Sequence, residues 1–181
     1  MPSPTGLPAI SALMVGFGAF VCTLLLARRR TGRQPSDGKR DRSSFAGIAI
    51  QSLGIFATAV GPVAVSLDPA GPTALAEAAA VATLMAGTIW LFHAATRTMG
   101  RNWAIVASTR QDHQLVTTGP FATMRNPIYV ALFLLTLAIA VAWGHYRHLL
   151  AGAPLFWAGT MMRVAREARM LRAQSGSAYA D

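Results

Sequence analysis

Acidic residues are scarce in this chain of 181 residues: seven Asp and Glu stand against sixteen Lys and Arg, and charged residues make up only 13%. A water-soluble domain carries about 25%, so the polar surface is too small to cover a globule of this size. Lysine is nearly absent, Lys39 being the single one. Cysteine is limited to Cys22, inside an apolar run, which excludes a disulfide framework and a thiolate zinc site. No predicted helix carries a His, Asp or Glu pair at i, i+4 that could ligate a metal, so none is expected. No glycine-rich phosphate loop follows a strand, and no Gly-x-Ser-x-Gly turn occurs. What is abundant is hydrophobic: 53% of residues, with a mean hydropathy of +0.41. That excludes disorder. The net charge of +9 would point to nucleic acid if the bases formed a patch on a polar domain. They lie between apolar runs instead, so a membrane is expected and nucleic acid is not.

A hydrocarbon layer about 30 Å thick needs roughly 20 apolar residues of helix. Residues 7–27, 45–66 and 74–96 meet that length. The first run has no basic n-region before it, unlike a cleaved signal peptide, and is expected to stay as a transmembrane helix. Residues 128–143 and 149–162 are shorter and are joined by 144–148, which predicts a short helical hairpin. Residues 28–44 hold seven bases, 97–127 four and 163–181 four, so fifteen of sixteen fall in alternate connections. The positive-inside rule then places these segments in the cytoplasm and the N-terminus outside. The Arg bias fits a GC-rich bacterial genome, hence a bacterial cytoplasmic membrane. The expected fold class is all-α: one polytopic membrane domain over 1–181, about five transmembrane helices, and a cytoplasmic amphipathic helix after the hairpin. The segment Gly16-x-x-x-Phe20 lacks the small-x-x-x-small spacing, so oligomeric state is not indicated.

Charge inside a span is a functional candidate that must be weighed against structural roles. Glu77 is expected in the first turn of its helix, where an acid suits the dipole. His93, beside Trp90 and Phe92, is expected in an interfacial aromatic belt. The densest polar stretch runs over 99–129 and is long for a connection, which favours function over linkage. Within it Gly119-Pro120 marks a turn. Arg125-Asn126-Pro127 reads as a helix start, with Asn126 able to cap and Pro127 suited to the first helical position. Such an end favours a carboxylate or other anion. Beyond the hairpin, 163–174 continues as a helix with Val164, Ala168 and Leu171 on one stripe. Glu167 at its edge is either half of a surface pair with Arg163 or a site residue. Arg166, Arg169 and Arg172 are expected to meet lipid headgroups.

Four segments carry a resemblance: Gly100-Arg101-Asn102-Trp103; His113 through Phe121, reading His-Gln-Leu-Val-Thr-Thr-Gly-Pro-Phe; Arg125-Asn126-Pro127-Ile128-Tyr129; and Arg166-Glu167-Ala168-Arg169-Met170-Leu171. In this order they resemble the isoprenylcysteine carboxyl methyltransferase family, to which phospholipid N-methyltransferases are similar. The resemblance implies an integral membrane enzyme that uses S-adenosylmethionine, with site segments at 99–129 and 163–179. It implies cofactor contacts at His113, Gln114, Leu115, Val116, Thr117, Pro127, Tyr129 and Glu167, and catalytic roles for Arg125 and Asn126. Asn126 stands where the motif usually has His, Ala168 replaces the second of two acids, and the sequence given stops at Asp181, before a tail found in relatives. The implied partner is a lipid or lipidated acceptor. A carboxylate attacking a sulfonium needs no general base, whereas an amine must first lose a proton. The expectation is therefore O-methylation of a carboxylate, with phosphatidylethanolamine N-methylation and a non-catalytic membrane protein of the same fold as alternatives.

Overall fold

The computed structural model describes residues 2–31, 44–100 and 117–175, without the side chains of Thr31, Ser44, Glu167 and 170–175. Five helices organise them: α1 (Leu7–Thr31), α2 (Ser44–Ala59), α3 (Pro72–Met99), α4 (Pro127–Ala142) and α5 (Leu149–Ser175). A two-residue strand β1 (Pro4–Thr5) pairs in parallel with β2 (Ala64–Val65). The all-helical expectation holds, and its boundaries change where local backbone chemistry overrides hydropathy. The second apolar run does not stay helical to 66. Gly61 takes φ +141° and Pro62 follows it, so α2 ends at Ala59 and the chain turns into β2. The run over 149–162 continues, as expected, into the helix after it, and the two form one helix, α5. Proline at the first position starts both α3 and α4.

α1 over Leu7–Arg30 and α3 over Pro72–Met99 are long and apolar enough to cross a bilayer. Only 17% and 28% of their apolar windows are buried. A core helix of a soluble protein would be mostly covered, so this outward apolar surface suits lipid. α2 and α4, with 16 residues each, rise about 24 Å.

The helices form two groups. α3 packs against α1 on one side and α4 on the other, burying Leu13 and Phe20 of α1, Met85 and Phe92 of α3, and Leu135 and Ile139 of α4. Phe92 is therefore not part of an interfacial belt. It meets Phe20 edge to face, with ring centroids 5.1 Å apart. α5 packs chiefly on α2 rather than on α4, so the hairpin is consecutive in sequence but not zipped along its length. Phe133 bridges the groups, 5.4 Å from Phe156 and 5.3 Å from Trp157.

Glycine sets the α2–α5 distance. Gly47 and Gly54 on α2 face Gly159 and Gly152 on α5, each pair two turns apart in its own helix. A Cβ on Gly54 would meet Phe156 Cα at 2.8 Å and Gly152 O at 2.7 Å. Close backbone approach of this kind is what small residues provide between apolar helices.

At one end of the bundle the base-poor connections converge. The Ser3 N–H donates to Gly144 O at 3.0 Å, and Gly144 holds φ +66° where a Cβ would collide with Ser3 O. The buried Thr5 hydroxyl lies 2.9 Å from Ala142 O and 3.2 Å from Glu77 Oε2. Glu77 is thus not a first-turn dipole residue, since α3 starts at Pro72. It ties the N-terminal strap to the helix, with Tyr146 OH 3.5 Å from its other oxygen. Burial, and then the Glu77 carboxylate, raise the Tyr146 phenol above its ordinary value.

His145 is buried in this end, with Nδ1 3.0 Å from Thr58 O and Nε2 3.0 Å from Pro62 O. Whichever nitrogen carries the proton donates to a carbonyl of the α2–β2 corner. His145→Ala removes both contacts and is expected to lower stability by about 1–3 kcal/mol, the cost of an orphaned buried polar group. Thermal unfolding in detergent checks this. An unchanged midpoint would show that water replaces the ring without loss.

Candidate functional site

Pro127 and Tyr129 are buried at the start of α4. The Arg163 guanidinium from α5 sits over the Tyr129 ring, 4.9 Å from its centroid. Arg163 Nη1 donates to Gln51 Oε1 at 2.9 Å. Gln51 Nε2 donates to Thr160 Oγ1, also at 2.9 Å, and the Thr160 hydroxyl donates to Phe156 O at 2.9 Å. Gln51 and Thr160 are both buried, so a polar chain crosses the α2–α5 interface and ends at the tyrosine.

Arg163 is half-buried and turned toward Tyr129 and Gln51, while the pairing with Glu167 lies outside the described side chains. A charge turned into an apolar bundle is costly unless hydrogen-bonded, and such residues mark function by default. Room for the arginine stem comes from α2, since a Cβ on Gly47 would lie 2.7 Å from Arg163 Cγ. Gln51 escaped the sequence reading altogether. The available signal was a lone carboxamide inside an apolar run.

Other expected site residues are distributed unevenly. Asn126 occupies the N-cap position of α4 but makes no side-chain cap bond. Its ψ of 62° departs from the extended cap geometry, and its carbonyl accepts from Tyr129 N and Val130 N instead. Arg125 and Thr117 are exposed. His113, Gln114, Leu115 and Val116 lie outside the described residues. Glu167 follows Arg163 by four positions on α5, and its side chain also lies outside what is described. Among the described residues no group of three or more His, Cys, Asp or Glu could hold a metal ion.

A second feature lies at the far end of α3. Trp90, His93, Ala94, Arg97 and Thr98 share one helix face, and a short 3-10 turn, Gly119–Ala122, packs beside it. With Pro120 and Thr123 they line a cleft of about 670 Å³.

Residues 76–177, more than half of the chain, match the model of the phospholipid methyltransferase family. The chain belongs to the phospholipid methyltransferase family. No curated protein matches it significantly. The match takes in the Tyr129–Arg163 contact and the cleft on α3, but not Gln51 on α2. As a phospholipid methyltransferase family member the protein is a membrane-associated methyltransferase, and enzymes of this family generally use S-adenosylmethionine. The resemblance found in the motifs thus leads to the related family.

Proposed function

We propose that this protein transfers a methyl group from S-adenosylmethionine to a lipid-like acceptor taken from the bilayer, with a carboxylate as the preferred acceptor. The observation that carries the reading is Arg163, a guanidinium held inside the bundle against the Tyr129 ring. A fixed positive charge there attracts an anionic acceptor and opposes an ammonium. Arg125, exposed beside the start of α4, adds to the same field and can guide the acceptor inward.

The residues present fit the cofactor. The cofactor's ammonium needs an anion, which the resemblance places at Glu167, one turn beyond Arg163 on α5. Bound S-adenosylmethionine would supply a methyl already activated by its sulfonium, so the protein's task is alignment and exclusion of water. The buried Pro127 and Tyr129 shape the dry wall, His113 through Thr117 and Glu167 hold the cofactor, and Asn126 and Arg125 face the acceptor in this reading. Five crossings of the bacterial cytoplasmic membrane, with 28–44, 97–127 and 163–181 inside, belong to the same proposal. The gathering of the base-poor connections at one end supports it.

The family description favours a second reading, N-methylation of phosphatidylethanolamine. Incubation of membranes with methyl-labelled cofactor separates the two: base-labile ester supports the carboxylate, label in lipid headgroups the amine. At residue level, Glu167→Ala is expected to weaken cofactor binding tenfold or more in calorimetric titration, well beyond the 0–1 kcal/mol of an exposed pair. An unchanged affinity returns Glu167 to the surface. Absence of cofactor binding by the unaltered protein would leave a non-catalytic member of the family.

A further inference from the structure

The polar chain across the α2–α5 interface has a direction. A guanidinium can only donate, so the 2.9 Å contact of Arg163 Nη1 makes the facing atom of Gln51 its oxygen. The carboxamide nitrogen is thereby turned toward Thr160 Oγ1, at 2.9 Å, and needs an acceptor there. A threonine hydroxyl has one proton, and this one goes to Phe156 O at 2.9 Å, which leaves the lone pairs for Gln51. Buried threonines of this bundle, Thr58, Thr88 and Thr136 among them, also donate to the carbonyl four residues back. The direction of the Thr160 proton is therefore set by its own helix. Each donor in the chain points the same way, from Arg163 through Gln51 and Thr160 to a carbonyl of α5. Groups aligned in this manner polarise one another. Burial keeps water from replacing them, with Gln51 3% exposed and Thr160 1%.

Thr160 and Arg163 lie three positions apart on one face of α5, and Gln51 reaches both from α2. Two glycines make that reach possible. Gly47, one turn before Gln51, clears the stem of Arg163, and Gly159 lies against the Gln51 main chain, where a Cβ would come within 2.8 Å of Gln51 Cα. A half turn of the carboxamide would set its NH2 against the guanidinium, donor against donor. That would push Arg163 off the Tyr129 ring, whose centroid is 4.9 Å from the guanidinium carbon. The Thr160 hydroxyl opposes the half turn from the other side. With its proton on Phe156 O, it would then meet the carboxamide oxygen with lone pairs.

We propose that Thr160 is a positioning residue: its hydroxyl fixes the Gln51 carboxamide with the oxygen toward Arg163, and so holds the guanidinium on Tyr129. It acts through Gln51. Because Gln51 lies outside the 76–177 match, half of this device comes from a part of the chain that the family pattern does not cover. The consequence for catalysis rests on the methyl-transfer reading, whereas the positioning of Arg163 does not.

The test compares Thr160→Val, which keeps the shape and removes the hydroxyl, with Thr160→Ser, which keeps the hydroxyl. Both are read against the unaltered full chain in detergent by NMR of isotope-labelled arginine, where the ring current of Tyr129 marks Arg163. Loss of the signal in Arg163→Lys assigns it, and Tyr129→Leu gives its unshifted position. Thr160→Val is expected to move the signal most of the way to that position, and Thr160→Ser to leave it in place. A signal that stays put in Thr160→Val overturns the proposal, as does one that moves equally in Thr160→Ser. Should valine not be tolerated in the fold, Thr160→Ala is read against the same two references. Methyl-transfer assays on the same samples read the catalytic consequence: kcat/KM for the acceptor should fall about tenfold in Thr160→Val and recover in Thr160→Ser. A displaced guanidinium with unchanged turnover would overturn the link to catalysis. Methyl transfer missing from the unaltered protein would condemn the methyl-transfer reading and that link with it, while the NMR comparison still decides the positioning.

Discussion

Gly54→Val is expected to prevent assembly of the folded protein. The side chain would have to enter space held by the backbone of α5 at Phe156 and Gly152, and neither atom set can rotate away. Overpacking of flexible side chains costs about 1–3 kcal/mol. Here main chain meets side chain, so α2 and α5 must separate and the loss should reach or exceed that range. Gly54→Ala makes a sharper version. Alanine gains about 1 kcal/mol of helix propensity over glycine, so a fall in melting temperature despite that gain can come only from the contact. Leu53→Ala, at the exposed residue just before it, serves as the control. Thermal unfolding in detergent with size-exclusion profiles reads the outcome. A Gly54→Ala protein at least as stable as the original would mean that the helices lie further apart than described.

Arg163→Met is expected to separate activity from stability. Removing the guanidinium takes away the charge beside Tyr129, and methyl transfer should fall on the order of 100-fold, about 2.7 kcal/mol of activation energy. Stability should change little when Gln51→Leu accompanies it, because Arg163→Met alone leaves the buried Gln51 Oε1 without a donor, at a cost of about 1–3 kcal/mol. Arg163→Lys keeps the charge but not the planar contact with Tyr129 and should retain part of the activity. Gln51→Leu leaves the guanidinium without its carboxamide acceptor and should lower activity through misplacement of Arg163, without abolishing cofactor binding. Full activity in Arg163→Met would remove the observation on which the carboxylate acceptor rests.

The apolar runs announced the helices because their length and lack of charge are local properties. Ends were less legible. Hydropathy alone carried the second run through Gly61 and Pro62, where backbone geometry stops it. Pro127 stands at the helix start that its sequence announced, whereas the absent cap bond of Asn126 depends on a ψ value no motif encodes. Arg163 was read by its neighbour four residues on, yet its position is set by Gly47 and Gln51, more than a hundred residues earlier. The glycine pairs stayed hidden for the same reason. Spaced by seven rather than four, they gain meaning only when α2 and α5 lie antiparallel. Phe92 looked interfacial near Trp90, but helix positions two apart point to nearly opposite faces, and of the two only Trp90 faces outward.

The N-terminal strap bears on the order in which the protein is made. Ser3 and Thr5 bond to Gly144 and Ala142, groups that leave the ribosome long after α1 has formed. Pairing of β1 with β2 can begin once residues 64–65 have emerged, but the second half of the attachment waits for α4 and the turn that follows it. During synthesis the start of α1 therefore has no native anchor on α4 until most of the chain has been inserted. Residues 3–5 are made well before their partners and settle only after them, and the closing of this strap marks the completion of the bundle.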